Sequence, residues 1–265
     1  MDSGDPQPRA EDAIRHAAPG PRSEIVEGVQ RGVLIGLAVA VLILPPMGLG
    51  SVGASAHRPP PQVQQQAVRF ADFGDASASP DAQFIAHWVV DSRNNQNLPF
   101  VIVDKKDARI HVFEPGGRLR GSSPVLLGSR AGDDAVAGIG SKAIADVQIE
   151  ERTTHAGRFL AEPGRNAHGE DVVWVDYDAA VSMHRVRVVD PAERRLERLA
   201  SPTPDDNRIS YGCINVPVAF FEQVLRPSFH QTYGVVYVLP ESSPVGAVFP
   251  AYDVRARSLS AVALR

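Results

Sequence analysis

The sequence predicts a mainly β domain of the α+β class, a sandwich or barrel of strands with a few short helices. Two observations predict it. Short runs rich in β-branched and aromatic residues alternate with polar or Gly- and Pro-containing turns, which is typical of strands joined in a meander. Helical spacing with capping residues is confined to three short segments. The 265 residues suffice for one such domain with additions at its ends.

The first 56 residues contain an export signal in this interpretation. Residues 33–44 are apolar and uncharged for 12 positions, preceded by Arg31. This is short for a membrane span of about 20 residues and fits the core of a signal peptide. The small-x-small run that ends at Ala56 is typical of signal peptidase cleavage, which makes His57 the first mature residue.

Two alternatives to a cleaved signal stay open, because acidic residues precede the apolar run where basic ones are usual. Residues 33–44 are either an uncleaved membrane anchor or a buried core helix. Cleaved or anchored, the remainder of the chain is exported to the periplasm or cell envelope, and its only expected membrane contact is this anchor.

The next segments are predicted in chain order. Residues 57–80 are rich in Pro and Gln and are interpreted as a linker to a domain over residues 81–240. Ser79 is a helix cap and Pro80 a first helical residue, so a helix is predicted to about Asp91. Residues 241–265 show no clear core face and are interpreted as a tail.

Seven strands and two further helices are predicted within the domain. The strands are residues 100–103, 109–113, 124–127, 159–161, 172–175, 180–186 and 234–239. Asp190 begins a helix over residues 191–199, whose charged side chains predict a solvated face. Asn215 as cap and Pro217 as first residue predict a helix over residues 217–225.

Cys213 is the only cysteine of the chain, so an exported protein has no internal disulfide to form with it. The thiol therefore has no special role, forms a disulfide with another chain, or is kept free as a reactive group. Gly212 before it can adopt positive φ, which predicts a sharp turn that exposes the sulfur. The predicted helix after it would favour the thiolate, the reactive form of cysteine. A buried, unreactive cysteine is the alternative.

Residues 210–215 read Ser-Tyr-Gly-Cys-Ile-Asn, which resembles the active-site signature of the L,D-transpeptidases, the YkuD-like family. That signature is Ser or Thr, His, Gly, Cys, a hydrophobic residue, then Asn or Arg. Residues 99–119 resemble the opening hairpin of the family, and residues 154–159 its Thr-Pro-x-Gly-x-Phe segment. The resemblance covers roughly residues 82–240 and implies an L,D-transpeptidase-like β fold.

The resemblance implies Cys213 as nucleophile and His184, late in a strand, as its base. His168, on a loop, is the second candidate, and His155 is also left after the other histidines are assigned surface or structural positions. Backbone amides of three residues are expected to form an oxyanion hole: Tyr211, Gly212 and Cys213. Ser210 is expected to orient the histidine, and Asn215 to fix the turn.

Two departures from the family pattern bear on activity. Tyr211 stands where the family usually has histidine, and it cannot act as a base near neutral pH. In addition, 25 residues separate His184 from Ser210, more than the family usually has. Residues 191–199 form most of the excess, as a lid over the site or as an outward bulge.

The implied activity is acyl transfer on peptidoglycan tetrapeptide stems, with a thioester on Cys213, release of D-alanine and formation of a 3-3 crosslink in cell-wall organisation and cell shape. An L,D-carboxypeptidase, attachment of a protein to the wall, a sortase or a non-catalytic peptidoglycan-binding module are the alternatives. We expect no cofactor and no metal, since the histidines lack paired ligand spacing. The near-balanced charge, 27 basic against 31 acidic residues, argues against nucleic acid as a partner.

Overall fold

The computed structural model describes residues 67–263, with side chains to residue 259. The predicted export segment, its cleavage position at Ala56 and the first part of the predicted linker lie outside these residues. Within residues 67–263, no helix is both long enough and apolar enough to cross a membrane.

Ten strands and five helices make up the described fold. The strands are β1 (Phe100–Asp104), β2 (Arg109–Phe113), β3 (Leu119–Pro124), β4 (Leu127–Gly128), β5 (Gly157–Arg165), β6 (Asp171–Asp176), β7 (Val181–Arg185), β8 (Arg208–Ser210), β9 (Ile214–Val216) and β10 (Gly234–Val238). The helices are α1 (Pro80–Ser92), α2 (Arg195–Ala200), α3 (Val218–Phe220, continued by a π turn Phe221–Leu225 and an α turn Arg226–Ser228), α4 (Val245–Val248) and α5 (Val254–Ala263). The predicted mainly β architecture with a few short helices is confirmed.

One long strand joins the two halves of the main sheet. The eight strands follow the order β3-β2-β1-β10-β5-β6-β7-β9, and β4 pairs with β8 separately. The first half of β5 pairs with β10 and its second half with β6, so β5 carries the sheet from one layer to the other. The backbone of Leu126, just before β4, pairs with that of Asn215 in β9, the last strand in this order. This edge of the main sheet is thus hydrogen-bonded to the segment before β4.

Alternate residues of β1 and β10 enter two different cores. Val101 and Val236 face the core enclosed between the two layers, together with Met183 and Ile214. The residues between them face α1 and the C-terminal segment, where Phe100 stands among Ile85, Trp88 and Tyr237. Because successive strand side chains point to opposite faces, a strand buried on both faces is continuously apolar, as β10 is.

The structure differs from the sequence prediction at both ends of the domain. Val245, Phe249 and Val254, in the segment predicted to be a tail, are buried against the outer core. Ala71, in the predicted linker, is also buried there, and Asp72 forms a β-bridge with Arg118 in the turn between β2 and β3. The apolar residues of both segments are spaced too irregularly to show a period, which is why the sequence did not reveal their packing.

The strands predicted around residues 100, 109 and 234 are confirmed within a residue. The predicted strand 124–127 is wrong, because β3 ends at Pro124 and β4 begins at Leu127. The sequence also missed β8 and β9. These strands have three residues each, too few to show an alternating pattern.

Candidate active site

The site is built by two parallel strands in register. Met183 of β7 pairs with Ile214 of β9, and His184 pairs with Asn215. Met183 and Ile214 are fully buried in the inner core. By alternation, His184 and Asn215 stand side by side on the opposite face, beside Cys213.

The turn before Cys213 requires glycine, as predicted. Gly212 has φ 126°, and a Cβ there would lie 2.9 Å from the carbonyl oxygen of Thr153. Thr154 also stabilises this turn. Its hydroxyl donates to the Gly212 carbonyl at 2.8 Å and accepts from the Gly128 amide at 2.9 Å. The backbone around the cysteine is therefore fixed by neighbours on both sides.

The half-buried thiol of Cys213 has two polar neighbours on β7 and the turn before it. Its sulfur lies 3.7 Å from Ser182 Oγ, and as a thiol it donates to the Ala180 carbonyl at 3.5 Å. Ala180 has φ 53°, a left-handed conformation that is uncommon outside glycine.

His184 is oriented to exchange a proton through one nitrogen. Its Nδ1 lies 2.7 Å from the carbonyl oxygen of Arg185, and a carbonyl can only accept, so Nδ1 carries a hydrogen. Nε2 of the neutral ring is then the proton acceptor. The Asn215 amide nitrogen is 3.5 Å from Nε2.

The pKa values of Cys213 and His184 move in opposite directions. Burial is the largest effect on the thiol and raises its pKa, but the interaction with His184 and the hydrogen bonds of Ser182 together outweigh it, so the pKa of Cys213 falls below its ordinary 9.0. Burial likewise acts to lower the pKa of His184, and the interaction with Cys213 turns the net shift upward from 6.5. Both shifts favour a thiolate–imidazolium pair.

Two predicted roles are wrong in detail. Ser210 does not orient the histidine: its hydroxyl donates to the Cys213 carbonyl at 2.6 Å and accepts from the Gly212 amide at 3.1 Å. Asn215 does not cap a helix, since it lies in β9, and Pro217 holds the N-cap position without a side-chain bond. Because β9 intervenes, the thiol does not lie at a helix N-terminus. Asn215 does bond the turn as predicted, through the Cys213 carbonyl at 3.2 Å.

The predicted oxyanion donors divide into two groups. The Gly212 amide is engaged by Ser210 Oγ, so it is not free to bind a developing oxyanion. The amides of Tyr211 and Cys213 are the two that remain of the predicted three. The exposed ring of Tyr211 lies under the guanidinium of Arg152, 4.0 Å from the ring centre, which is a cation–π contact.

The other candidate histidines are placed elsewhere. His168 lies exposed in the β5–β6 turn, where its amide bonds Asn166, and residues 67–259 show no contact between it and Cys213. His155 is buried, with Nε2 2.9 Å from the carboxylate of Asp176. His111, expected at the surface or in a structural position, is fully buried in β2.

The insertion between His184 and Ser210 lies against the site. Its helix is split: a 3₁₀ turn Pro191–Glu193 and α2 are separated by Arg194 at φ 50°. Leu199 of α2 is buried against Leu126 and Val186, so the predicted solvated face is wrong on one side. Arg195 donates to Asn215 Oδ1 at 2.8 Å and pairs with Glu193.

Ser182 and Arg195 also lie at the site and were not predicted from the sequence. Ser182 could have been found, because it lies two residues before His184 in the same strand and therefore shares its face. Arg195 has no such local pattern, since only the folded position of α2 brings it to Asn215. Among the described residues, no three His, Cys, Asp or Glu side chains converge as metal ligands.

The sequence matches no protein-family model and no curated protein. Solved structures that resemble the chain include L,D-transpeptidases, the family that its cysteine motif resembles. A cysteine-to-serine variant of the Enterococcus faecium L,D-transpeptidase is 13% identical with a TM-score of 0.29, over 53% of this chain and 49% of that one. The helical cell shape determining protein of Campylobacter jejuni is 13% identical with a TM-score of 0.37, over 69% and 62%.

A third structure is the catalytic domain of the Enterococcus faecium L,D-transpeptidase, solved by NMR. It is 16% identical with a TM-score of 0.30, over 53% of this chain and 96% of the domain. The chain covers less than two thirds of the length of the first two proteins. All three TM-scores are below 0.5.

Proposed function

We propose that the protein is a cysteine-dependent L,D-transpeptidase that acts on peptidoglycan tetrapeptide stems. The observation that carries the proposal is the pairing of Cys213 with His184, in which the pKa of the thiol falls and that of the imidazole rises. A cysteine kept only for packing has no need of such a partner. A half-buried thiol beside two candidate amide donors is suited to acyl transfer.

The first step forms a thioester. The Cys213 thiolate attacks the carbonyl carbon of the third stem residue, an L centre, and the amides of Tyr211 and Cys213 stabilise the oxyanion. The C–N bond to the terminal D-alanine then breaks. His184 gives its Nε2 proton to the departing amine, which leaves as free D-alanine.

The second step depends on the acceptor. An amine of a neighbouring stem attacks the thioester, His184 takes the proton, and a 3-3 crosslink and free Cys213 result. If water attacks instead, the same site is an L,D-carboxypeptidase. If the amine belongs to a protein, that protein is attached to the wall. The crosslinking reaction is our principal proposal, and the reaction requires no cofactor.

Two alternatives of other classes are less well supported. A sortase pairs its cysteine with an arginine on the next strand, whereas Arg185, next to His184 in β7, bonds Glu222, and Arg195 bonds Asn215. A non-catalytic binding module does not explain the opposite pKa shifts of Cys213 and His184.

We also propose that the protein works outside the cytoplasm, in the periplasm or cell envelope. The apolar run at residues 33–44 supports export, by a signal peptide cleaved after Ala56 or by an uncleaved anchor. N-terminal sequencing of protein from fractionated cells tests this: a start at His57 indicates cleavage, and cytoplasmic protein with an intact Met1 contradicts export.

The activity test uses the purified full-length chain with disaccharide tetrapeptide muropeptides and product masses as the readout. We expect loss of D-alanine, with dimers as the main product. Cys213→Ala and His184→Gln should each abolish the reaction. His168→Gln is the matched control, because it removes an exposed histidine away from the thiol, and it should retain full activity.

The product distinguishes the proposals. Tripeptides without dimers mean a carboxypeptidase. If D-alanine release persists in folded Cys213→Ala protein, the nucleophile is wrong. If the wild-type protein is folded and releases no D-alanine, the donor is wrong and the binding module becomes the better hypothesis.

A further inference from the structure

The insertion between His184 and the cysteine motif brings one buried cation to the site. Arg195 is the first residue of α2, and its side chain is only 13% exposed. Its Nε bonds Glu193 and its Nη1 donates to Asn215 Oδ1 at 2.8 Å. A nearly buried arginine that bonds two side chains at once is fixed in position.

The bond from Arg195 determines which end of the Asn215 carboxamide faces His184. A guanidinium can only donate, so the amide oxygen must point toward Arg195. The amide nitrogen then faces the opposite way, 3.2 Å from the Cys213 carbonyl and 3.5 Å from His184 Nε2. His184 Nε2 therefore meets an N–H group, which matches its lone pair and not its proton.

We propose that Arg195 is a positioning residue of the Cys213 reaction, which holds the Asn215 carboxamide with its N–H toward His184 Nε2 and so makes the imidazolium release its proton readily to the departing amine. The inference deepens the proposed function and rests on it for the identity of that amine. Arg195 itself touches neither the thiol nor the reacting atoms.

The charge of Arg195 acts in the same direction as the amide. The guanidinium acts to lower the pKa of His184, as burial does, against the upward effect of Cys213. Glu170 also interacts with the charge of His184 and is paired with Arg187, while Glu193 is paired with Arg195 itself. Arg195 is therefore the cation that keeps the Cys213–His184 pair from holding its proton too strongly.

The test measures the proton affinity of His184 without any substrate. Alkylation of Cys213 by iodoacetamide is followed against pH in the full-length protein, and His184 is titrated by NMR. In Arg195→Ala and Arg195→Gln, we expect the upper inflection, at which the imidazolium of the pair deprotonates, to move to higher pH. Arg195→Lys keeps the charge and should move it less than either.

Arg194→Ala is the matched control. Arg194 precedes Arg195 directly, but its side chain is 69% exposed and pairs with Glu197. Its removal makes the same change in net charge, and it should leave the upper inflection and the donor reaction unchanged. In Arg195→Ala, kcat for D-alanine release should fall about tenfold with little change in KM, since a proton donor is affected and not substrate binding.

The outcomes separate this inference from the proposed function. If folded Arg195→Ala and Arg195→Gln keep the wild-type upper inflection, or if Arg194→Ala moves it equally, the inference is overturned. If the inflection moves as expected but the wild-type protein never releases D-alanine, the role of Arg195 toward His184 stands and the proposed substrate is wrong. Circular dichroism shows whether each variant is folded.

Discussion

At the scale of single residues, the site depends on a competition between burial and pairing. Burial alone would keep Cys213 as a neutral thiol and His184 as a neutral ring, because both charged forms lose hydration. Each residue gives the other the charge that offsets this cost. The pair is thus mutually dependent, and removing either member should return the other to the behaviour that burial dictates.

The pH dependence of thiol reactivity tests this dependence. The pKa of Cys213 is lowered from 9.0, so the reactive thiolate should persist as the pH falls below 9. In His184→Gln the burial effect remains and only the hydrogen bonds of Ser182 still oppose it, so the alkylation inflection should move to higher pH. Mass spectrometry of iodoacetamide-treated protein measures it. An unchanged inflection in His184→Gln would show that His184 does not pair with the thiol.

His111 is a buried base that must stay neutral. Burial is the largest cause that lowers its pKa, from 6.5 to about 4. Nδ1 bonds Ser122 Oγ, and Nε2 has no partner among the described residues. The folded pKa is below the unfolded one, so stability is full above pH 6.5 and is lost as the pH falls toward 4, by up to about 3 kcal/mol.

We therefore expect His111→Leu to flatten the loss of stability between pH 6.5 and pH 4, relative to the wild-type protein. Urea unfolding at several pH values measures the difference. His230→Leu, which removes an exposed histidine, should keep the wild-type slope. If His111→Leu also keeps that slope, the folded protein tolerates the charged imidazole.

At the scale of elements, a buried charge cluster ties three separate segments together. Lys105 follows β1 and is fully buried, and its Nζ bonds Asp133 at 2.9 Å. Asp133 also accepts backbone amides from Glu241, Ser242 and Ser243. Arg208, at the start of β8, pairs with Glu241. The strand that leads to the cysteine turn is thus joined to the long segment after β4.

Asp133 is the residue whose loss should cost most in this cluster. Burial acts to raise its pKa, but the amide of Glu241 and the charge of Lys105 lower it to about 2. Its contribution is therefore present above pH 3.8 and is lost as the pH falls toward 2. Asp133→Asn leaves Lys105 buried without its closest anion, and we expect about 3 kcal/mol lower stability at neutral pH.

Denaturant unfolding at pH 7 measures that loss. Asp134→Asn is the control, since Asp134 is the adjacent, exposed carboxylate, and it should change stability little. A similar effect of both substitutions would mean that net charge matters and the cluster does not.

The sequence predicts elements well where a pattern is local. The apolar runs of β1, β2 and β10 and the cap of α1 needed no knowledge of the fold, nor did Gly212 and Cys213 of the site. Lys105 was placed in a polar turn, because burial of a lysine depends on partners that lie 27 and more residues away. Arg195 was missed for the same reason. Contacts between distant segments are properties of the fold.

At the scale of the whole molecule, the two cores share β1 and β10. The inner core holds the strands that carry the site, and the outer core is closed by α1 and the C-terminal segment. Phe100 and Val101 are neighbours in one strand but belong to different cores. A weakened outer core should therefore lower the stability of the entire β domain, without touching a residue of the site.

Phe249 tests this coupling from the segment that the sequence placed in a tail. Its side chain is 2% exposed and packs against the ring of Tyr237, 6.0 Å between centroids. Phe249→Ala should lower the free energy of unfolding by about 3 kcal/mol, as other large-to-small core substitutions do. Leu259→Ala, at a side chain 73% exposed in the same segment, should change it little. Denaturant unfolding, followed in parallel with Cys213 alkylation, should show both signals lost in one transition. A separate, earlier transition at the C-terminal segment would mean that the outer core does not support the site.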